Sequence, residues 1–239
     1  MSPADEEVPE APSEAPLTDP DARRNTALIT GVAATVAFVI WRVVVALNGH
    51  EPLPMDMWWQ DLMVSLRSDV WLILAWIPAV GGGTVAMIVI LIVSVLLFLW
   101  RKRKWDAVNM ASAIVLVVAI GAPMAAVIAR ERPEGSLAES VDTSFPSGHT
   151  AVATTFAITL ALLLRKWWLW LAGAVWVIWM MWSRTYLSAH WLSDVFAGFF
   201  EGVAVATIVW CAVEALRDRR AKRHLADPSR PGELPESVR

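Results

Sequence analysis

From residue 26 to residue 216 the chain is a succession of apolar runs parted by short clusters of charge. Most of the runs approach the roughly 20 residues that cross the hydrocarbon of a bilayer as a helix. Of 239 residues, 56% are hydrophobic and only 18% charged, with a mean hydropathy of +0.50, outside the usual range for a soluble domain. The sequence therefore predicts an all-α integral membrane protein. The lone cysteine, Cys211, lies inside an apolar run; it excludes an intrachain disulfide and any Cys-based zinc or redox site. Fifteen tryptophans against one tyrosine, many at the ends of runs (Trp41, Trp58, Trp59, Trp100, Trp167, Trp191), read as anchors at the headgroup level.

Six crossings are expected, at about 26–47, 84–100, 107–129, 148–164, 167–182 and 191–216. After the first, Met55, Trp58, Trp59, Leu62, Met63 and Leu66 recur at helical spacing, while Asp56, Gln60, Asp61 and Arg67 take the other face. That pattern predicts an amphipathic helix lying in the interface. The stretch 70–80 is apolar but too short to cross alone, and it ends at Pro78 and the glycines 81–83. It reads as a partly inserted lead into the second crossing, or as the first half of one kinked span, 70–100. Residues 1–24, acidic and Pro-rich, predict a disordered tail and not a secretory leader. Residues 218–239 predict a second tail, basic and then Pro-rich, leaving 25–217 as the membrane domain.

Basic residues set the expected orientation. Arg101 to Lys104, the Arg165-Lys166 turn, Arg23 and Arg24, and the basic tail all fall on one side if there are six spans, which the positive-inside rule makes cytoplasmic. Both termini are then cytoplasmic. The exceptions among the 20 Lys and Arg are Arg42, Arg67, Arg130, Arg132 and Arg184. The loop 130–147 and the stretch 183–190 meet on the outer face.

Three polar clusters lie there: Arg130-Glu131-Arg132-Pro133, Ser144-Phe145-Pro146-Ser147-Gly148-His149, and the run from Ser183 to Asp194. Ionisable groups at the edge of a bilayer are costly and mark functional candidates. In a helix starting near His190, Asp194 follows at i+4 on the same face. Its carboxylate can hold the proton on one imidazole nitrogen and leave the other to attack. A guanidinium at Arg184 can clamp a pair of phosphoryl oxygens. Nucleophile, orienting group and anion clamp together point to phosphoryl transfer.

Pro146-Ser147-Gly148-His149, followed by Arg184, His190 and Asp194 at spacings of six and four, resembles the type-2 phosphatidic acid phosphatase superfamily, whose core is related to vanadium haloperoxidases and bacterial acid phosphatases. The resemblance covers about residues 55–205. It implies a six-helix membrane fold with an outward site and metal-independent removal of phosphate from a lipid, with no cofactor. Carried over position by position, it implies that His190 is the nucleophile that becomes phosphohistidine, that Asp194 orients it, and that His149 is the general acid. It further implies that Arg132, Arg184, Ser147 and the Gly148 N–H hold the phosphate oxygens. The expected partners are the membrane and a lipid phosphate in the outer leaflet, polyprenyl phosphates or diphosphates first, and no nucleic acid.

One position departs from the pattern. The family's usual lysine, seven residues before the motif arginine, is Ala125. Arg130 is the nearest residue to supply the missing charge. Two alternatives stay open: a phosphotransferase, in which an acceptor hydroxyl replaces water, and a weakly catalytic lipid-phosphate-binding homologue. Glu201, two turns beyond Asp194, is read either as a buried hydrogen-bonded residue or as a lining of the site. Glu131 and Asp142 are read as solvated loop charges.

Overall fold

The computed structural model describes residues 20–138 and 143–225. Among these residues eight helices follow one another: α1 (Pro20–Leu47), α2 (Pro54–Ser65), α3 (Asp69–Gly81), α4 (Thr84–Trp100), α5 (Lys104–Ile128), α6 (Gly148–Leu164), α7 (Trp167–Tyr186) and α8 (Leu192–Leu225). Among the described residues there is no strand beyond one isolated antiparallel bridge, Glu131 to Thr143. α8 is the axis of the bundle, packed against α1, α5 and α6. Outside it the usual polarity of a protein surface is reversed: α1 alone exposes Leu28, Ile29, Val32, Val36, Val39 and Ile40. An apolar belt of this extent needs hydrocarbon as its solvent.

Among the described residues three helices (α1, α5 and α8) are long and apolar enough to cross a membrane, and a fourth crossing is made if α3 and α4 count as one span bent by 49°. The bend falls where Pro78 and the triple glycine predict a break: Gly82 N–H closes the end of α3 on Pro78 O at 2.8 Å. A break at this point fits both readings of the 70–100 segment, a lead into the crossing or one kinked span. α6 is apolar but 17 residues long, and α7 has 20 residues, six of them tryptophan. The ends of the domain also shift. α1 starts at Pro20, inside the stretch 1–24 expected to be a tail, and α8 runs on to Leu225, past the expected boundary at 217. The remaining tail residues, and Asp142, lie outside the described residues.

α2 departs from its expected rotation. Its packed side joins Met63, with Trp59 and Leu62, to Ala75, Ala79, Tyr186 and Leu187. Asp56, expected on the polar face, is wholly buried, whereas Met57 and Trp58 are exposed. Pro54 opens the helix and Asp56 Oδ2 accepts from Leu53 N–H at 3.0 Å, which is half of a capping box. The single tyrosine locks this segment to the end of α7: Tyr186 Oη donates to Leu66 O at 2.9 Å and accepts from Ser68 N–H at 3.0 Å.

α8 approaches its neighbours through glycine. A Cβ on Gly198 would lie 2.4 Å from Ser147 O, and one on Gly202 would lie 2.7 Å from Ala151 O. Small residues four apart let two helix backbones meet closely in a membrane. Here they bring the start of α6 onto α8.

Candidate active site

The three polar clusters converge at one end of the bundle. Ser147 N–H donates to Asp194 O at 3.1 Å, Ser144 N–H donates to Arg130 O at 2.8 Å, and Leu137 N–H donates to Leu187 O at 3.0 Å. The loop after α5, the start of α6 and the α7–α8 junction are thereby joined through backbone. At the junction, Ser188 takes a left-handed conformation (φ 51°) and both Ala189 and His190 N–H donate to Arg184 O, at 3.0 and 3.2 Å. This tight turn sets Arg184 and His190 on opposite limbs of one backbone hairpin.

His190 is buried. Its Nδ1 lies 2.7 Å from Ser144 O. A carbonyl can only accept, so Nδ1 carries the proton and Nε2 keeps a lone pair. Arg132 Nη1 lies 3.3 Å from that Nε2 and also donates to Ala189 O. Burial lowers the proton affinity of His190, the nearby Asp194 carboxylate raises it, and Arg184 and Arg132 lower it again. The outcome is below the ordinary value of 6.5. His149, half-buried at the start of α6, is in electrostatic range of Arg184, His190 and Arg132. Gly148, beside it, is exposed, and nothing lies within 4 Å of where its Cβ would be. It is the first residue of α6, where orphan N–H groups and the helix dipole favour an anion.

Two expectations change. Asp194 is not the direct acceptor from the imidazole: its Oδ2 is 3.8 Å from Nδ1 and accepts instead from Trp191 N–H at 2.9 Å, capping α8. Its Oδ1 receives Arg130 Nη1 at 2.5 Å. The backbone of Ser144 has taken over the orienting contact, because the start of α6 is held against α8. Arg130, in turn, does not replace the charge absent at Ala125. Its guanidinium has five N–H donors, and five acceptors surround it: His50 O, Glu51 O, Ser193 Oγ, Asp56 Oδ2 and Asp194 Oδ1. The side chain is wholly buried between the two carboxylates. An arginine so engaged holds Asp194 in place and has no donor left for a ligand. Ser147 is also buried, and its Oγ shares a hydrogen bond with Thr150 Oγ1 at 3.1 Å.

Asp56 and Ser193 are the residues that sequence reasoning missed. Asp56 receives Ser193 N–H and Oγ–H, each at 2.7 Å, as well as Arg130. The available signal was an acidic residue two positions after Pro54, which reads equally well as a helix cap. Gln60 and Arg67, from the same segment, both donate to Ser188 Oγ at the α7–α8 turn. Glu131 is exposed, as expected of a loop charge. Glu201 is buried and neither carboxylate oxygen has a hydrogen-bond partner, so the structural hydrogen bond allowed for it does not form.

Residues 126–218 match the PAP2 superfamily. That stretch contains Arg132, Ser147, Gly148, His149, Arg184, His190 and Asp194. Among curated proteins, the chain is similar to an undecaprenyl-diphosphatase of Sulfolobus acidocaldarius, 29% identical over 117 residues, which are 46% of this chain and 56% of that relative. The chain thus matches just over half of that relative's length. Two solved PAP2-type structures share the fold. A transmembrane phosphatidylglycerolphosphate phosphatase from Bacillus subtilis superposes with a TM-score of 0.68 at 18% identity, covering 80% of this chain and 96% of that one. LpxE of Aquifex aeolicus gives 0.56 at 24% identity, covering 63% and 92%. At these identities the PAP2 neighbours speak for the fold alone.

Proposed function

We propose that this protein is a membrane lipid phosphate phosphatase that works through a phosphohistidine on His190, without a metal ion, and that its substrate is a polyprenyl phosphate or diphosphate. The observation that carries the proposal is the His190 imidazole held by Ser144 O on one side, its Nε2 turned to Arg132. In the first step the Nε2 lone pair attacks phosphorus and the P–O bond to the leaving group breaks. His149 gives its proton to the departing oxygen, which would otherwise be a poor leaving group. The phosphorylated ring carries positive charge, stabilised by the Asp194 carboxylate 3.8 Å away. Water then attacks phosphorus, His149 takes back a proton, and inorganic phosphate leaves with His190 neutral again. Arg132 exchanges its contact with Nε2 for the phosphoryl oxygens. Arg184 and the first N–H groups of α6 share the equatorial charge, as electrostatic catalysis of phosphoryl transfer requires.

The polyprenyl substrate is supported by the name of the Sulfolobus relative and by the apolar belt that surrounds the site. The same proposal places six spans in the membrane, both termini in the cytoplasm, and the site at the outer leaflet, on the strength of the basic turns. Purified protein should release phosphate from an undecaprenyl phosphate or diphosphate in the presence of chelator, be inhibited by vanadate, and lose activity in His190→Ala while keeping its fold. Retained turnover in that variant would remove the nucleophile. A strict demand for a divalent metal would point to different chemistry.

A further inference from the structure

α6, α7 and α8 supply His149, Arg184 and Asp194, and an apolar groove runs along the same three helices away from the site. Its near end is formed by Thr154, five residues beyond His149, Met181, three before Arg184, and Phe196, two beyond Asp194. It continues past Phe199, Val177 and Ala174 to Leu169 and Trp170. Along α7 the distance from Met181 to Leu169 is about 18 Å at 1.5 Å per residue, more than the roughly 15 Å of half a hydrocarbon core. The groove exists because α7 makes extensive contact with α6 but little with α8, and because Gly173 seats against Ala157, where a Cβ would lie 3.0 Å from the alanine methyl. Thr154 is its one polar wall residue, and its buried Oγ1 has no partner.

We infer that this α6–α7–α8 groove is the tail-binding subsite and takes a single long hydrocarbon chain whose phosphate sits between His149 and His190. The inference rests on the lipid phosphatase proposed above and specifies how that enzyme reads its substrate. Three observations favour a substrate tail over other occupants. On all three helices the near end of the groove lies within about one and a half turns of a proposed catalytic or phosphate-binding residue. It extends past the middle of the bilayer, which a chain confined to one leaflet does not need. Its wall is built from the helices that carry the catalytic groups, so a seated chain fixes the headgroup's approach.

The test uses full-length protein in nanodiscs and two prenyl diphosphates, one short (geranyl) and one long (undecaprenyl). Ala174, exposed in the groove, is changed to Trp. Ile178→Trp serves as a second variant in case the first is poorly folded. The expected result is a rise in KM of about tenfold for the long chain, the equivalent of about two displaced methylenes, and a much smaller rise for the short one. Equal effects on both chains, or none, in either folded variant would overturn the groove while leaving the phosphatase intact. A wild-type protein inactive on both diphosphates would overturn the phosphatase and the groove with it. A diazirine placed near the end of a lipid phosphate's chain should label Met181 or Phe199 more strongly than the same chain on a choline headgroup. Equal labelling would make the groove a seat for any bilayer lipid, and oxidative dimerisation through Ala174→Cys would make it a contact between two copies. Either result would overturn the inference.

Discussion

A carbonyl oxygen has no proton to give, and that single fact decides the chemistry of His190. With Ser144 O at 2.7 Å from Nδ1, the ring is held as the Nδ1–H tautomer and Nε2 keeps the lone pair that the proposed mechanism uses as nucleophile. Burial is the chief reason its proton affinity falls below the ordinary 6.5. The ring should therefore remain neutral, and reactive, as pH is lowered through 6.5. In the unfolded chain the ring protonates first, so this residue subtracts stability progressively as pH falls below 6.5 and none above it. Nitrogen NMR of labelled histidine in ligand-free protein should show the neutral Nδ1–H form of His190 persisting below that pH. A ring fully cationic at pH 6.5 would contradict the geometry. Asp56 makes the second prediction at this scale. Asp56→Asn leaves an amide oxygen for Ser193 but removes one of the two charges facing the buried Arg130 guanidinium. Breaking a buried pair typically costs about 3–5 kcal/mol, so the melting temperature should drop clearly, and phosphate release should fall mainly in kcat because Asp194 loses its anchored partner.

At the scale of the element, α8 is where packing and chemistry coincide. Gly198 stands one turn below Asp194, and a methyl group there would press on Ser147 O at 2.4 Å. Overpacking of this kind costs about 1–3 kcal/mol, and here the backbone that must yield is the loop leading to His149. Gly198→Ala should lower phosphate release at least tenfold with a modest loss of thermal stability. Gly81→Ala, whose Cβ would meet only Trp176 at 3.6 Å, should be close to wild type in the same assay. The α2 helix shows how far periodicity can be trusted. Its apolar stripe correctly announced a helix. But rotation about the axis was decided by the pull of Arg130 on Asp56, an ion pair between residues 74 apart in sequence. No local pattern carries that information. The α3–α4 break was legible, because proline and glycine act on the backbone where they stand.

For the whole molecule, the proposed orientation is open to direct labelling. With Cys211 changed to Ser, a single cysteine at Glu134, in the exposed loop beside the site, should react in intact cells with a membrane-impermeant maleimide. One at Lys102, in the turn at the opposite end of the bundle, should react only after lysis. The reverse pattern would place the site on the cytoplasmic side. Composition and run length alone determined that this chain is a helical membrane protein, because hydrocarbon tolerates little else. The spacing of its two histidines and its arginines pointed to phosphate chemistry, because few other reactions need those groups together. Which atom orients the His190 imidazole, and that Arg130 is locked between two carboxylates, were decided only by tertiary structure. Each depends on contacts between segments 46 to 74 residues apart, and hydrogen-bond partners at that distance are chosen by packing, not by local sequence.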